Sequence, residues 1–286
     1  MQSSLLLTGI GLRPPHYSDV LDKQPGVAWF EVHSENYFGE GGQALQMLEK
    51  IRTHYPLSLH GVSLSLGSAD ELNWQHLKKL KELVLRVEPC LISEHLSWSS
   101  IEGQYLPDLL PLPYTSETLD HVVERIQQTQ EYLGRQILIE NIASYVRYEQ
   151  STMSEADFLQ EAAKKSGCGI LLDINNIYVS AMNFNIDPYA YLTGMSSALV
   201  QEFHLAGFTS TMIGGKEILI DTHNRPVVPA VWDLYRYTVQ QLGRKPTMIE
   251  WDTDLPSLET LCLEAYRAEK IMRESYDASK PASRTG

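Results

Sequence analysis

Short runs of apolar and β-branched residues recur along the chain and alternate with longer, more polar segments. Each run is about four to seven residues long, which is typical of buried strands. The runs are Leu5 to Ile10, Val27 to His33, Leu57 to His60, Cys90 to His95, Gln136 to Glu140, Gly169 to Asp173, Val200 to His204 and Pro246 to Glu250. This pattern predicts eight strands.

The segments between the runs have apolar residues three or four positions apart, which predicts amphipathic helices. The two clearest sets are Leu77, Leu80, Leu83, Val84 and Val87, and Leu119, Val122, Val123, Ile126 and Leu133. Asp187 and Pro188 have the pattern of an N-cap followed by proline at the first helical position. Gly134 and Gly243 follow predicted last turns.

The regular alternation of strands and helices indicates parallel strands joined by right-handed crossovers. Eight such units favour closure into an α/β (β/α)8 TIM barrel, which accommodates a chain of this length as one domain. We predict a single domain at residues 1–275 and a disordered tail at residues 276–286. The proline-containing connection Ser97 to Thr115 is long for a barrel loop and is predicted to act as a lid.

The 286 residues are 43% hydrophobic and 21% charged, and the net charge is -13. An acidic surface repels phosphate backbones, which argues against a nucleic-acid partner. No apolar stretch approaches the roughly 18 residues of a membrane span, and the N-terminus lacks the pattern of a signal peptide. The three cysteines, Cys90, Cys168 and Cys262, are widely spaced in apolar surroundings, which indicates buried free thiols. We expect a cytoplasmic protein without a membrane partner.

The candidate chemistry lies at the carboxyl ends of the predicted strands, where TIM barrels assemble their active sites. Six strands end in an imidazole or carboxylate directly after apolar residues. These residues are His60, His95, Glu140, Asp173, His204 and Glu250. Burial of such groups requires partners of opposite charge, and these strand ends offer no Lys or Arg. Bound cations are the simplest neutralising partners.

Two loop elements add further ligands. Asn176 stands three residues beyond Asp173, and Asp221 and His223 point the same way if the backbone is extended. Nitrogen and oxygen ligands without thiolate suit Zn, Fe or Mn. The nine candidates divide naturally over two or three ions, with Glu140 and Glu250 as bridging carboxylates.

Other polar residues allow two interpretations. Glu31 and His33, at the end of the second strand, could orient metal ligands or could stabilise the following loop. The histidines of the helical segments, His54, His76 and His121, have polar neighbours and are expected to be solvated.

Several motifs together resemble the multinuclear non-haem iron-dependent oxidases, which include the methanobactin-biosynthesis-type peptide-cysteine oxidases and have a xylose-isomerase-like barrel. The motifs are Glu31 to Phe38, Leu59 to Ser65, Ser93 to Trp98, Glu140-Asn141, Leu172 to Asn176, His204 to Gly207, Asp221 to His223 and Ile249 to Asp252. The resemblance covers roughly Leu7 to Ala268.

The resemblance implies oxidation of cysteine residues in a ribosomally synthesised precursor peptide, with a small partner protein that presents the peptide. Some precursors in that family become copper-binding peptides. Two or three irons of mixed Fe(II)/Fe(III) valence would bind the substrate thiolate and O2, and hydrogen would leave the cysteine β-carbon. Products would be an oxazolone with thioamide, a thiooxazole or a related product.

The resemblance also divides the ligands among the irons. His60, His95 and Glu140 would hold one iron; Asp173, His204 and Glu250 a second; and Asn176, Asp221 and His223 a third. We assign Glu140, Asp173 and Glu250 as the candidate catalytic residues.

Two alternatives remain. The ligand order also resembles endonuclease IV, a three-zinc nuclease in which histidine stands at the position of Asn176. An amide is a weaker ligand than imidazole, so the third ion is expected to bind least tightly. The other alternative is a sugar-isomerase-like hydrolase or isomerase that uses Zn or Mn.

Overall fold

Strands and helices alternate throughout residues 7–279, the part that the computed structural model describes, with side chains described to residue 276. The strands are β1 Thr8–Gly11, β2 Phe30–His33, β3 Leu57–Gly61, β4 Leu91–His95, β5 Trp98–Ile101, β6 Gln104–Leu110, β7 Leu138–Glu140, β8 Gly169–Asp173, β9 Val200–Leu205, β10 Thr209–Ile213, β11 Lys216–Ile220 and β12 Thr247–Ile249. The helices are α1 Tyr17–Lys23, α2 Gln43–Arg52, α3 Trp74–Val87, α4 Ser116–Leu133, α5 Glu155–Ser166, α6 Ile174–Phe184, α7 Pro188–Leu192, α8 Pro229–Leu242 and α9 Leu258–Ser279, with 3-10 helices at Pro14–His16 and Ser34–Tyr37.

Eight parallel strands form a closed barrel in the order β1-β2-β3-β4-β7-β8-β9-β12. β1 pairs with both β2 and β12, which closes the sheet. The predicted (β/α)8 TIM barrel is therefore confirmed, and each predicted run overlaps one barrel strand, although β1, β3 and β9 each extend one residue past the run. Leu5 and Leu6, the start of the first predicted run, lie outside the described residues.

The helices pack on the outside of the barrel through the apolar positions that define their periodicity. Both predicted sets, on α3 and on α4, are buried. Asp187 caps α7 with Pro188 in the first turn, as predicted, and Gly134 ends α4 in the left-handed conformation. An N-cap such as that of Asp187 stabilises its helix by about 1 kcal/mol. These contacts fix the barrel frame that carries the site.

Two antiparallel hairpins project beyond the carboxyl ends of barrel strands. The long connection Ser97 to Thr115 contains the hairpin β5–β6, which follows β4. The hairpin β10–β11 follows β9 and turns at Gly214-Gly215, both with positive φ. The second hairpin was absent from the sequence prediction. Both hairpins stand at the end of the barrel where the candidate ligands lie.

Three further features bear on the sequence predictions. The cysteines are free, but only Cys168 is buried, and Cys90 is exposed, so that prediction is wrong for Cys90. α9 continues to Ser279, past the predicted domain boundary at 275, and residues 280–286 of the predicted tail lie outside the described residues. Within the described part of the chain, no helix is both long and apolar enough to cross a membrane.

Candidate metal centre

The register of the barrel strands brings the predicted ligands side by side. Alternate strand residues point into the barrel, and neighbouring parallel strands align their inward positions. His33 pairs with His60, His95 with Glu140, and Asp173 with His204. Residues from distant parts of the sequence therefore meet at one level of the barrel, because each stands at the end of its strand.

One group of ligand atoms consists of His60, His95 and Glu140. Glu140 Oε2 lies 3.4 Å from His60 Nε2 and 3.3 Å from His95 Nε2. His95 Nδ1 lies 3.0 Å from the Gly61 carbonyl oxygen, which can only accept, so Nδ1 carries the proton. Burial lowers the pKa of His95 to about 4, so its ring is neutral at pH 7 and Nε2 presents a lone pair.

A lone pair on His95 Nε2 thus faces a carboxylate oxygen of Glu140, and the His95 ring places no hydrogen between them. Glu140 Oε2 makes no hydrogen bond within the described structure. Two acceptors at this distance repel unless a proton or a cation lies between them. This geometry is what a metal ion bound by His60, His95 and Glu140 requires.

A second group consists of Glu140, Asp173, His204 and Glu250, all fully buried. His204 Nδ1 lies 3.3 Å from Glu250 Oε2 and 3.8 Å from Glu140 Oε1. The carboxylate of Glu140 thus faces the first group with one oxygen and the second group with the other. It is placed to connect two ions.

A polar layer lies one step deeper in the barrel, two residues before several of the strand-end ligands. His204 Nε2 lies 3.3 Å from Glu31 Oε1 and 3.7 Å from Glu202 Oε1. Ser58 donates to Glu31, and Ser93 Oγ lies 2.7 Å from His60 Nδ1. A carboxylate or hydroxyl on the second nitrogen of a ligating imidazole fixes its orientation. The geometry thus favours the first interpretation of Glu31, as a residue that orients a ligand.

The remaining candidates lie at the rim. His223 Nε2 is 2.7 Å from Asp221 Oδ1, and His223 Nδ1 is 3.4 Å from Glu250 Oε2. Asn175 donates to the same Asp221 oxygen at 2.6 Å. His223 has a φ of 45°, a left-handed conformation that is costly for a non-glycine residue and is frequent at functional sites. Asp221 and His223 therefore act as one pair that joins the second group through Glu250.

Asn176 is in the first turn of α6, directly above the strand end. Its backbone N–H donates to Asp173 Oδ1, which caps the helix, and its side-chain amide donates to the Asn141 carbonyl at 3.1 Å. The oxygen Asn176 Oδ1 is buried and has no hydrogen-bond partner in residues 7–276. That oxygen is available as a ligand, while the amide nitrogen is already used.

The sequence argument missed one basic partner. Arg13 follows β1, is 6% exposed and forms an ion pair with Asp252, beside His33. The inference that these strand ends lack a cationic neighbour is therefore wrong at Asp252, which follows Glu250. Arg13 contributes one positive charge at the rim, whereas the carboxylates deeper in the barrel form no ion pair with a Lys or Arg in the described region.

Several ligand-type atoms remain buried without hydrogen-bond partners in the described part of the chain, and each would cost roughly 1–3 kcal/mol if it stayed unpaired. They are Glu31 Oε1, Glu140 Oε2, Asp173 Oδ2, Asn176 Oδ1, both carboxylate oxygens of Glu202, and both ring nitrogens of His204. Metal ions would satisfy most of these atoms and neutralise the carboxylates. The residues present therefore fit a multinuclear centre of nitrogen and oxygen ligands.

A cavity of about 520 Å³ opens onto this centre. His60, His95, Asn176 and Glu250 reach its floor, and the hairpin β5–β6 forms part of its wall with residues 105–109. The predicted lid segment thus borders the cavity. A volume of this size admits a few amino-acid residues or a small organic substrate.

Fold and site together define a xylose-isomerase-like TIM barrel with a cluster of carboxylates and imidazoles at the carboxyl ends of its strands. Solved structures that share the fold include an L-ribulose 3-epimerase, with a TM-score of 0.64, 13% identity and coverage of 98% of this chain and 99% of that chain. Another is a xylose isomerase-like TIM barrel protein from Mycobacterium smegmatis, solved in complex with magnesium, with a TM-score of 0.62, 10% identity and coverage of 96% and 98%.

Sequence comparison identifies the family. Residues 7–273 match the profile of the RiPP precursor modification enzyme family MbnB/TglH/ChrH, and the chain belongs to this family. Similar proteins include the UPF0276 proteins of Acaryochloris marina, 48% identical over 92% of this chain and 94% of that protein, and of Anaeromyxobacter sp., 48% identical over 93% of both. The family acts on ribosomally made precursor peptides.

Proposed function

We propose that this protein is an iron- and O2-dependent oxidase that modifies cysteine residues of a ribosomally synthesised precursor peptide at a di- or tri-iron centre. The family membership supports an enzyme that acts on such a precursor. The observation that carries the metal centre is the position of Glu140, whose two oxygens face two separate ligand groups. Irons of mixed Fe(II)/Fe(III) valence bound there would supply binding positions for a thiolate and for O2, and would accept electrons.

The chain's own residues would hold and shield this chemistry. Glu140, Asp173 and Glu250 are the proposed catalytic residues, because their carboxylates share one ligand group. Of the three, Glu250 lines the cavity floor. The polar layer beneath, with Glu31 against His204, would keep the imidazole in one orientation. Because the ligand side chains are buried, bulk water could reach the metal ions only through the cavity.

The cavity provides the route for the peptide. A cysteine side chain that enters it would meet the ligand groups at the floor, while the neighbouring peptide residues contact the hairpin β5–β6 and Tyr145. Tyr105 and Leu106 of that hairpin are exposed, so they offer apolar contact at the mouth. We further propose that a small partner protein presents the peptide there, in a cytoplasmic setting.

The decisive experiment is reconstitution with iron, the precursor peptide and the partner protein, followed by mass spectrometry of the peptide under air. We expect a mass change on cysteine-containing fragments that needs both iron and O2, with no change under nitrogen. An unmodified cysteine with an iron-loaded enzyme would reject the oxidase. The same ligand set suits Zn or Mn, so a colourless Zn- or Mn-containing protein, unaltered by air, would favour the hydrolase or isomerase instead.

The third ion provides a separate test. Asn176→Ala removes one amide oxygen from the rim and leaves the two groups around Glu140 intact. We expect the metal content after dialysis to fall by about one ion per chain. Asn183→Ala is a matched control, because Asn183 is a buried asparagine of the same helix that contacts Leu219 and not the centre. An equal loss in both variants, or no loss in Asn176→Ala, would contradict a role for Asn176 as a ligand.

A further inference from the structure

A second cluster of metal-ligating side chains lies where the 3-10 helix after β2, the first turn of α3, and β4 meet. It consists of Glu35, His76 and Glu94, which offer one ligand atom each, all within 4.8 Å of one another. The cluster shares no residue with the groups around Glu140. The prediction that His76 is solvated is wrong, because only 9% of its side chain is exposed.

Glu94 points away from the barrel interior. Its strand neighbours Ser93 and His95 contact the inner ligands, and alternation therefore directs Glu94 to the layer between strand and helix. Glu94 is 2% exposed. Its carboxylate occupies space left by Gly61, where an added Cβ would lie 1.9 Å from Glu94 Oε1. The glycine and the carboxylate thus fit together, and the carboxylate is held inside the protein.

Each of the three side chains has a buried atom without a hydrogen-bond partner in the described structure: Glu35 Oε2, His76 Nε2 and Glu94 Oε1. His76 Nε2 lies 3.6 Å from Glu35 Oε1, which is itself held by the backbone N–H groups of Val62 and Ser63 at 2.9 and 3.0 Å. Buried polar atoms that converge in this way without partners are costly unless something binds them.

No Lys or Arg in residues 7–276 forms an ion pair with Glu35 or Glu94. Neither carboxyl group therefore has a permanent counterion in the described region, and burial raises the pKa of Glu94 well above its ordinary value, so a bound cation would displace a proton from it. Burial lowers the pKa of His76, so its ring is neutral at pH 7 and its nitrogen lone pair is available.

We propose that Glu35, His76 and Glu94 bind a divalent transition-metal ion, such as Zn²⁺, at a site separate from the barrel centre. One doubly charged cation neutralises two carboxylates, and one imidazole with two carboxylates is a donor set that Zn, Mn or Fe accepts. The ion joins three chain segments that are distant in sequence. Through Glu35 it also fixes the backbone of Val62 and Ser63, two residues of the cavity wall.

Anomalous diffraction at the zinc edge tests this site directly. The full-length protein is dialysed against micromolar Zn²⁺ and crystallised, and the density at the barrel centre serves as an internal positive control. We expect a further peak between Glu35 Oε2, His76 Nε2 and Glu94 Oε1. Absence of that peak in crystals whose barrel centre shows zinc would overturn the proposal. If the barrel centre shows no zinc peak, that result counts against the metal centre. The presence or absence of the peak at Glu35, His76 and Glu94 then still decides the second site.

Zinc stoichiometry of variants provides the second measurement. His76→Gln keeps a polar side chain but removes the imidazole, and His54→Gln is the matched control, since His54 is exposed at the end of α2. We expect His76→Gln to bind one Zn²⁺ fewer per chain than the wild type and His54→Gln. Equal zinc content in all three proteins overturns the proposal, and the diffraction experiment decides it if His76→Gln fails to fold.

Discussion

Replacement of Glu140 by glutamine is expected to remove at least one metal ion per chain and to lower the rate of peptide modification by at least about 100-fold. Removal of residues that merely orient ligands typically costs 10–100-fold, and a bridging ligand should cost at least as much. Glu140 faces His60, His95 and His204 at 3.3–3.8 Å, so both ligand groups depend on it. Metal analysis and the peptide mass assay, run on the same preparations, measure the two effects.

The glutamine variant should fold as well as the wild type. Burial raises the pKa of Glu140 well above its ordinary value. The charges of Asp173 and Glu250 raise it further, and together they outweigh the opposing charge of His204. In the metal-free protein the surroundings therefore favour the neutral form of this side chain, which glutamine imitates. We expect the metal-free variant to unfold at no lower temperature than the metal-free wild type. A large drop would mean that lost activity reports misfolding.

Glu161→Gln serves as the control, because the ion pair that the described residues form with Glu161 is with Lys164, on the exposed side of α5. It should retain wild-type metal content and activity. If Glu140→Gln behaves like this control, the carboxylate does not connect two ions, and the proposed centre is wrong.

The barrel could be predicted because its strands are buried on both sides. Such strands are continuous apolar runs, and their polar ends stand out, as at Asp173 and Glu250. The hairpin β10–β11 lacks this signal, since Ser210 to Ile213 are exposed and follow no apolar alternation. Only the turn glycines Gly214 and Gly215, between residues of strand-forming type, could have indicated it.

The ligand groups could be predicted because one rule places every strand end at the same level. In the polar layer beneath, the sequence indicated Glu31 as a residue that could orient ligands but missed Glu202, although the signal is present: Glu202 is two residues before His204 and therefore shares its face. Glu31 stands in the same relation to His33. The ion pair of Arg13 with Asp252 lies beyond such a rule, since it joins residues 239 positions apart through loops whose paths the sequence does not specify.

Removal of the metal ions with a chelator is expected to make stability fall as the pH rises from 6.5 to 8.5. Burial raises the pKa of Asp173 to about 7, helped by the charge of Asp221, and burial also raises that of Glu202 to about 7. The pKa of His204 is raised as well, because Glu31 and Glu140 outweigh the opposing effect of burial. The folded chain thus keeps protons that the unfolded chain releases.

The sign follows from the proton balance. When the folded state binds more protons than the unfolded state, the free energy of unfolding decreases with rising pH. A carboxyl group whose pKa is raised in the folded state contributes its full stabilisation of that state below its unfolded pKa. It loses this contribution as the pH rises through its folded pKa, which is about 7 for Asp173. The lowered pKa values of His95 and His60 oppose this trend only near pH 6.5, where unfolded imidazole still releases its proton. From about pH 7.5 upward those rings are neutral in both states and no longer contribute. Each retained proton corresponds to about 1.4 kcal/mol per pH unit, so Tm should fall by on the order of 5 °C.

Metal-loaded protein should show the opposite trend or none, since cations displace these protons and bind more tightly as the ligands deprotonate. Asp173→Asn isolates one contribution, because the asparagine side chain can still accept the capping hydrogen bond from the Asn176 N–H but cannot titrate. The metal-free variant should therefore lose less stability over this pH range than the metal-free wild type. Asp187→Asn, at the exposed N-cap of α7, controls for the change of cap. Thermal unfolding with and without chelator at pH 6.5, 7.5 and 8.5 measures the wild type and both variants. A metal-free wild type whose Tm stays level or rises with pH would show that the buried carboxylates do not depend on cations for their neutralisation.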